Sequence, residues 1–375
     1  MIIRNGLVFE ENKTFVCRDL YVENGVIVDS AEQVTDQRVI DAQGLYVLPG
    51  LIDVHSHGAV GYDFSDGNAE GLKEILKYER AHGITSYCPT SMTLPACQLK
   101  KIFATAVEAQ SAEDTSKVGQ ADIAGINMEG PFLDPAKKGA HVEAHILPPD
   151  VNLFRECNES CKHMIRLVTL APNMPGAMEF IRELHDETVI SLGHTAANYV
   201  ESKAAIEAGA KHVTHLYNAM MPLGHRDPGL IAAAAEDQDC MPELICDGIH
   251  IHESVIRATF RLFPDRVVLI SDSMRAAGMK DGTYDLGGQQ VTVCGKLATL
   301  ADGTIAGSVT NLYDCMRTAV SFGIPFEEAV AAASMNPAKS IGIYDKVGSL
   351  SPGKRADILL VDKELNLVKV SCFDR

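Results

Sequence analysis

The stretch GLIDVHSHG places two histidines, His55 and His57, one residue apart. On a β-strand, residues i and i+2 project from the same face. Two imidazoles side by side at a strand end can share a metal ion. They can equally be two polar residues at a strand-to-loop exit. Other residues of ligand chemistry recur where apolar runs give out: Glu129 in INMEG, His194 in ISLGHT, His215 in VTHLYNAM, Asp247 and His250 in ICDGIH, and Asp272 in VVLISD. Only thirteen histidines exist, and five of them crowd such ends. One histidine there reads as a cap or a core residue, whereas the whole set reads as metal chemistry. Neutral imidazole and carboxylate suit zinc and iron. Glu129, His194 and His215 make the three protein ligands of a catalytic zinc site that leaves a position for water.

Asp272 closes the last apolar run. Beside a metal it can accept a proton from water and return it to a leaving group. Capping of a following helix is the competing role, but SDSMRAAG is a weak helix start. Arg226, in GHRDPGL, is a lone guanidinium in a Gly/Pro loop. It suits phosphate, although no Gly-rich phosphate cradle accompanies it. His82, His163, His185 and His212 fall on helices or ahead of strands and read as structural. His145 and His252 lie near the cluster without an obvious partner.

Eight short apolar runs position these residues: GLIDVHS, TSYCPTS, IAGINMEG, IRLVTLAP, TVISLGHT, HVTHLYNAM, PELICDGIH and RVVLISDS. They alternate with amphipathic helical segments such as NAEGLKEILKYERAHG and HESVIRATFRLFP. This alternation predicts a (β/α)8 TIM barrel with its chemistry at the C-terminal strand ends. Residues 1–48 and 344–375 read instead as short strands with turns, including a hairpin at Asn24-Gly25. They predict one small β-sandwich domain formed by both chain termini, flanking a barrel over 49–343. After the eighth run, GTYDLGGQQVTVCGKLATLADGTIAGS reads as a β-hairpin excursion, and two helical stretches then close the barrel.

Of 375 residues, 46% are hydrophobic and 22% charged, as in ordinary globular enzymes. A net charge of −17 argues against nucleic acid or an anionic membrane as partner. No apolar run reaches membrane-spanning length, and MIIRNGLVFEENK lacks the core of a signal peptide, so a cytoplasmic location is expected. Ten cysteines form no Cys-x-x-Cys pair and read as reduced thiols. Cys157 and Cys161, spaced i, i+4, read as packing rather than metal binding.

The motifs PGLIDVHSHG, MEGPFLDPAKKGAH, SLGHT, THLYNAM, RDPGL, DGIHI, ISDSM, IAGS, NPAKSIGI and GSLSPGKRADILLVD run in order from Pro49 to Asp362. Together they resemble the amidohydrolase superfamily and, within it, the N-acetylglucosamine-6-phosphate deacetylase family. MEGPF with GAH is the most specific piece, with Glu129 where many relatives carry a modified lysine. The resemblance implies that Glu129, His194 and His215 are metal ligands and that Asp272 is the general base and acid. It implies substrate contacts from Ala140, His141, Asn218, Ala219, Arg226, His250, Ile305, Ala306 and Gly307. It implies a divalent metal, zinc ahead of iron, at one or two ions per chain. It also implies a homodimer in which Arg226 reaches the phosphate in the neighbouring active site. Many members lack both strand-one histidines and hold one metal. His55 and His57 place this chain in the other branch and are expected to hold a second ion, with Glu129 bridging the two.

The implied reaction is hydrolysis of the 2-acetamido group of an amino-sugar phosphate to acetate and the amine. Asp272 takes the water proton and passes it to the nitrogen, while the metal and His141 polarise the carbonyl. Three alternatives stand beside it at this point. The substrate can be the galactosamine epimer, or a cyclic amide as in other amidohydrolases, or the barrel can be non-catalytic. GHRDPG and YNAM favour a sugar phosphate over a cyclic amide, and a non-catalytic barrel predicts missing ligands.

Overall fold

A computed structural model describes residues 1–36, 38–110 and 119–371; Cys372 lies outside them. The eight apolar runs form the parallel strands β1 (Leu51–Ser56), β2 (Ile84–Ser91), β3 (Ile126–Glu129), β4 (Ile165–Leu170), β5 (Val189–Leu192), β6 (His212–Val213), β7 (Met241–Ile245) and β8 (Val268–Ile270). Each pairs in parallel with the next. Just past β8, the Asp272 N–H donates to the His55 carbonyl at 2.9 Å and joins the last strand end to the first. The protein is thus a (β/α)8 barrel, as its alternation predicts.

A helix follows every strand: α1 (Ala69–Ala81), α2 (Ala96–Ala109), α3 (Val151–Ser160), α4 (Ala177–Leu184), α5 (Tyr199–Glu207), α6 (Gly229–Glu236) and α7 (Glu253–Leu262). After β8 come α8 (Leu312–Ser321), α9 (Phe326–Ala333) and α10 (Met335–Ser340). In α1, Leu72, Ile75, Leu76 and Glu79 are buried, the i, i+3, i+4, i+7 stripe of a core-facing helix. Asn68 caps it by accepting from the Gly71 N–H,. Strand residues such as Leu51, Met128 and Val168 join the helices' apolar faces in one core. Their neighbours Ile52, Val54, Leu167, Val268 and Ile270 pack in another with Ala338 and Ile341. Strands buried on both faces are what parallel sheets require. No helix among the described residues is long and apolar enough to cross a membrane.

The two termini build one seven-stranded sheet outside the barrel. Its order is Leu367–Ser371, Ile358–Val361, Tyr46–Pro49, Ile2–Phe9, Phe15–Glu23 and Val26–Val28. Val39–Asp41 also pairs with Ile2–Phe9, at Ile2 to Arg4. This branched sheet holds its own core of Ile3, Val8, Leu20, Val22, Val47, Ile358 and Leu360. Asn24 (φ 50°) and Gly25 (φ 76°) turn its hairpin with both residues left-handed, as the Asn-Gly pair demands. The excursion after β8 carries three antiparallel strands, Gly282–Leu286, Gln289–Cys294 and Leu297–Thr299, one more than a hairpin. Leu286 and Val291 dock it against Met92, Met274 and Ala306 at the rim of the barrel.

Candidate active site

The strand ends converge on the carboxylate of Glu129, the last residue of β3. Its Oε1 lies 3.1 Å from His194 Nε2 and 3.0 Å from His215 Nε2. Its Oε2 lies 3.2 Å from His57 Nε2 and 3.5 Å from His55 Nε2. The Asp272 Oδ1 completes this second group, 3.4 Å from His57 and 3.6 Å from His55. All six residues are buried. The backbone is bent to bring them together: φ is 46° at His194, 26° at His215 and 47° at Asp272. Left-handed non-glycine residues are uncommon and cluster at functional sites. The glycine of GAH has a steric reason. Gly139 has φ 54°, and a Cβ there would stand 3.3 Å from His194 Cε1.

Second partners aim the imidazoles. His194 Nδ1 donates to the Lys137 carbonyl at 2.9 Å and His57 Nδ1 to the Thr90 carbonyl at 3.2 Å. His55 Nδ1 donates to the Glu243 carboxylate at 2.8 Å. Each of these bonds puts a proton on Nδ1 and turns Nε2 toward Glu129, the nitrogen whose lone pair a cation would take in place of a proton. His55 Nε2 has no hydrogen-bond partner although fully buried. His194 and His215 Nε2 stand 3.0 Å apart beside a carboxylate oxygen. Acceptors gathered this closely fit a divalent cation, and the donor set of imidazole and carboxylate suits zinc or iron. The Oε1 and Oε2 groups are two adjacent clusters of metal-ligating atom types that share one carboxylate.

His141 is turned the other way. Its Nδ1 accepts the Thr93 N–H at 3.1 Å, so the neutral ring carries its proton on Nε2, 3.4 Å from Glu129 Oε2. Burial above all pushes its pKa down to about 4 and keeps it a neutral donor. Burial opposes charge on Asp272, but the His57 hydrogen bond and the charges at His55, His57 and His215 hold its carboxyl at about 2. His57, likewise opposed by burial, is raised to about 10 by Asp272 and Glu129. That negative field favours a bound cation for the same reason.

A cavity of about 410 Å3 opens over this cluster. Ala140, His141, Asn218, Ala219, His250, Ile305 and Gly307 all line it, with His57, Glu129, His194, His215 and Asp272. His250 Nδ1 is held by Asp247 at 2.7 Å. Ala306 is buried behind the wall, and Arg226 lies exposed on its loop, outside the lining of its own chain's cavity. His252 caps α7 by accepting from the Ser254 N–H, and His145 ends a short 3-10 turn. His82 and His212 bond within the scaffold, to the Tyr78 carbonyl and the Ser191 hydroxyl. Sequence reasoning missed Glu243 and Thr93. A glutamate inside the apolar run PELIC was a signal for the first. Thr93 acts through its backbone, which no residue type announces.

The amidohydrolase family model matches residues 46–372. The N-acetylglucosamine-6-phosphate deacetylase of Bacillus subtilis (strain 168) is 39% identical over 329 residues, 87% of this chain and 83% of that protein. The N-acetylgalactosamine-6-phosphate deacetylase of Escherichia coli O157:H7 is 34% identical over 362 residues, 94% and 92% of the two chains. A solved structure of an N-acetyl-D-glucosamine-6-phosphate deacetylase from Mycobacterium smegmatis, an aspartate-to-alanine mutant in complex with N-acetyl-D-glucosamine-6-phosphate, is also similar. It has a TM-score of 0.90 at 30% identity, covering 99% of this chain and 97% of that one. With the barrel, the ligand cluster and these relatives over nearly its whole length, the chain belongs to the amidohydrolase family.

Proposed function

We propose that the protein hydrolyses the N-acetyl group of N-acetylglucosamine 6-phosphate to glucosamine 6-phosphate and acetate. What carries this is the pairing, across one cavity, of a neutral Nε2–H donor at His141 with an ionised carboxylate at Asp272, in a chain whose relatives are named for this reaction. An amide is a poor leaving group and needs an activated nucleophile, a charge acceptor and an acid. Asp272 Oδ1 takes one proton from the attacking water as its oxygen bonds to the carbonyl carbon. His141 Nε2–H donates to the carbonyl oxygen as negative charge develops there. Asp272 then returns the proton to the nitrogen as the C–N bond breaks, and the acetic acid released ionises to acetate, its proton passing to the free amine or to solvent. Glu129, His194 and His215 would hold a divalent cation, and His55 and His57 a second, and such a cation would supply Lewis acidity toward the water and the carbonyl. Zinc suits these ligands ahead of iron.

Ala140, Asn218, Ala219, His250, Ile305 and Gly307 contact the sugar phosphate, with Ala306 buried behind them. Arg226, exposed and free of its own chain's cavity, reaches the phosphate bound by a second subunit of a homodimer. The nine described cysteines are all free thiols, which supports a reducing, cytoplasmic setting.

The relative named for the galactosamine epimer keeps that sugar as a second reading. An acetate-release assay on both N-acetylated 6-phosphates, with metal analysis of the same sample, tests the proposal. We expect turnover of N-acetylglucosamine 6-phosphate at the higher kcat/KM. A reversed preference assigns the epimer, and no acetate from either in metal-loaded protein overturns the assignment.

A further inference from the structure

Glu243 stands in the middle of β7 and is fully buried. One of its oxygens, Oε2, accepts two hydrogen bonds: from His55 Nδ1 at 2.8 Å and from the backbone N–H of His215 at 2.9 Å. The first donor belongs to the ligand set around Glu129 Oε2, the second to the set around Oε1. Its backbone carbonyl adds a third tie, accepting the Leu216 N–H at 2.9 Å. The other oxygen, Oε1, has no hydrogen-bond partner.

These contacts come where the regular ladder fails. β6 pairs with β7 only at His212 and Val213, and the chain then bends into left-handed backbone at His215. The Glu243 side chain is what holds the His215 amide beyond that point. On the other side it fixes the proton of His55 on Nδ1, so that the Nε2 lone pair faces the cluster. A carboxylate that serves only packing is costly when buried with one oxygen unbonded. A carboxylate that orients a metal-binding imidazole and raises its basicity has a reason to be there.

We propose that Glu243 is a positioning residue that holds His55 and His215 together in ligand geometry, so that the two metal subsites depend on the same carboxylate oxygen. The inference rests on the two-ion reading above, yet its test separates the two. Glu243 touches neither the cavity nor, on that reading, the ions, and it acts through the histidines alone.

The test is titration of metal-stripped protein with Zn2+ alone against a chromophoric chelator. The chains compared are wild type, Glu243→Gln, Glu243→Asp and His57→Asn. Gln conserves volume and can still accept at one oxygen but carries no charge. Asp restores the charge on a shorter stem. We expect Glu243→Gln to weaken both subsites 10–100-fold with an unchanged circular dichroism spectrum. His57→Asn should weaken only one. Glu243→Asp should recover part of the lost affinity. Cobalt loaded in place of zinc should show altered d–d absorption in Glu243→Gln, a readout independent of turnover. If wild type takes up one ion only, the two-ion reading falls, and the Glu243 inference stands or falls on whether that ion is weakened. Wild-type affinity for every bound ion in a folded Glu243→Gln variant overturns it. A loss confined to one of two subsites overturns the coupling.

Discussion

The amide of Asp272 donates to the carbonyl of His55 at 2.9 Å. With those from the His57 and Gly58 N–H to the Ser273 carbonyl, this hydrogen bond joins the last strand end to the first and sets the Asp272 carboxylate beside the paired histidines. Scaffold and chemistry meet at the same backbone contact. A side-chain change at Asp272 leaves that contact in place, which makes the residue a clean target.

Asp272→Asn is accordingly expected to fold and bind metal but to lose about 10²–10⁴-fold in turnover, the usual worth of a positioned acid/base. Steady-state kinetics on protein of measured metal content checks this. Near-normal kcat in the metal-loaded variant would remove Asp272 from its role.

Arg226→Ala should lose roughly 1.5–3 kcal/mol of binding to the 6-phosphate substrate, the value of a hydrogen bond to a charged group. The unphosphorylated N-acetyl sugar makes no such contact and should react as before. Comparison of kcat/KM for the two substrates decides it, since an equal loss for both would point to the fold or the subunit contact instead.

The double variant His55→Asn/His57→Asn is expected to hold one zinc or iron ion per chain against two for wild type, and to keep some activity. Metal analysis after removal of loosely bound ions reads this directly. Equal uptake of a single ion by both proteins would leave the paired histidines as pocket lining only.

Glu11 supplies a pH dependence away from the metal cluster. Burial works against its charge. Hydrogen bonds from Ser349, Ser351 and Tyr344 and the charge of Lys354 nevertheless lower its pKa from 4.5 to about 2. A carboxyl with a depressed folded-state pKa stabilises fully above its unfolded value and loses that contribution as pH falls toward about 2. Its side chain is 48% exposed, so screening reduces the effect to about 0.5–1 kcal/mol. Urea unfolding of Glu11→Gln should show that deficit at pH 7 and little difference from wild type near pH 2. A deficit that does not change with pH would mean lost packing rather than lost charge.

Strand count, barrel class and the placement of His55, Glu129, His194, His215 and Asp272 at strand ends were legible because both signals are local. Apolar runs of strand length alternate with helical stripes, and these imidazole and carboxylate residues sit where those runs stop. The third strand of the excursion was not legible. Leu297–Thr299 is three residues long, and its turn at Cys294 to Leu297 is visible only in the pairing register. Glu243 was hidden for a different reason. Its partners are a histidine 188 residues earlier and a backbone amide, and no periodicity encodes either. The tautomer of His141, set by a backbone N–H, is likewise a property of three dimensions alone.

Pro49 pairs with Ile358 in the terminal sheet, with the entire barrel threaded between them. During synthesis, Tyr46–Pro49 emerges early and waits with one edge bare until the segment Ile358–Val361 has been made. An unpaired strand edge is a template for association with other chains, and so distant a pairing is slow to find. The strands made after the barrel therefore both complete the terminal sheet and cover the edge that the strands made before it expose. Nascent chains truncated ahead of Ile358 carry that edge uncovered.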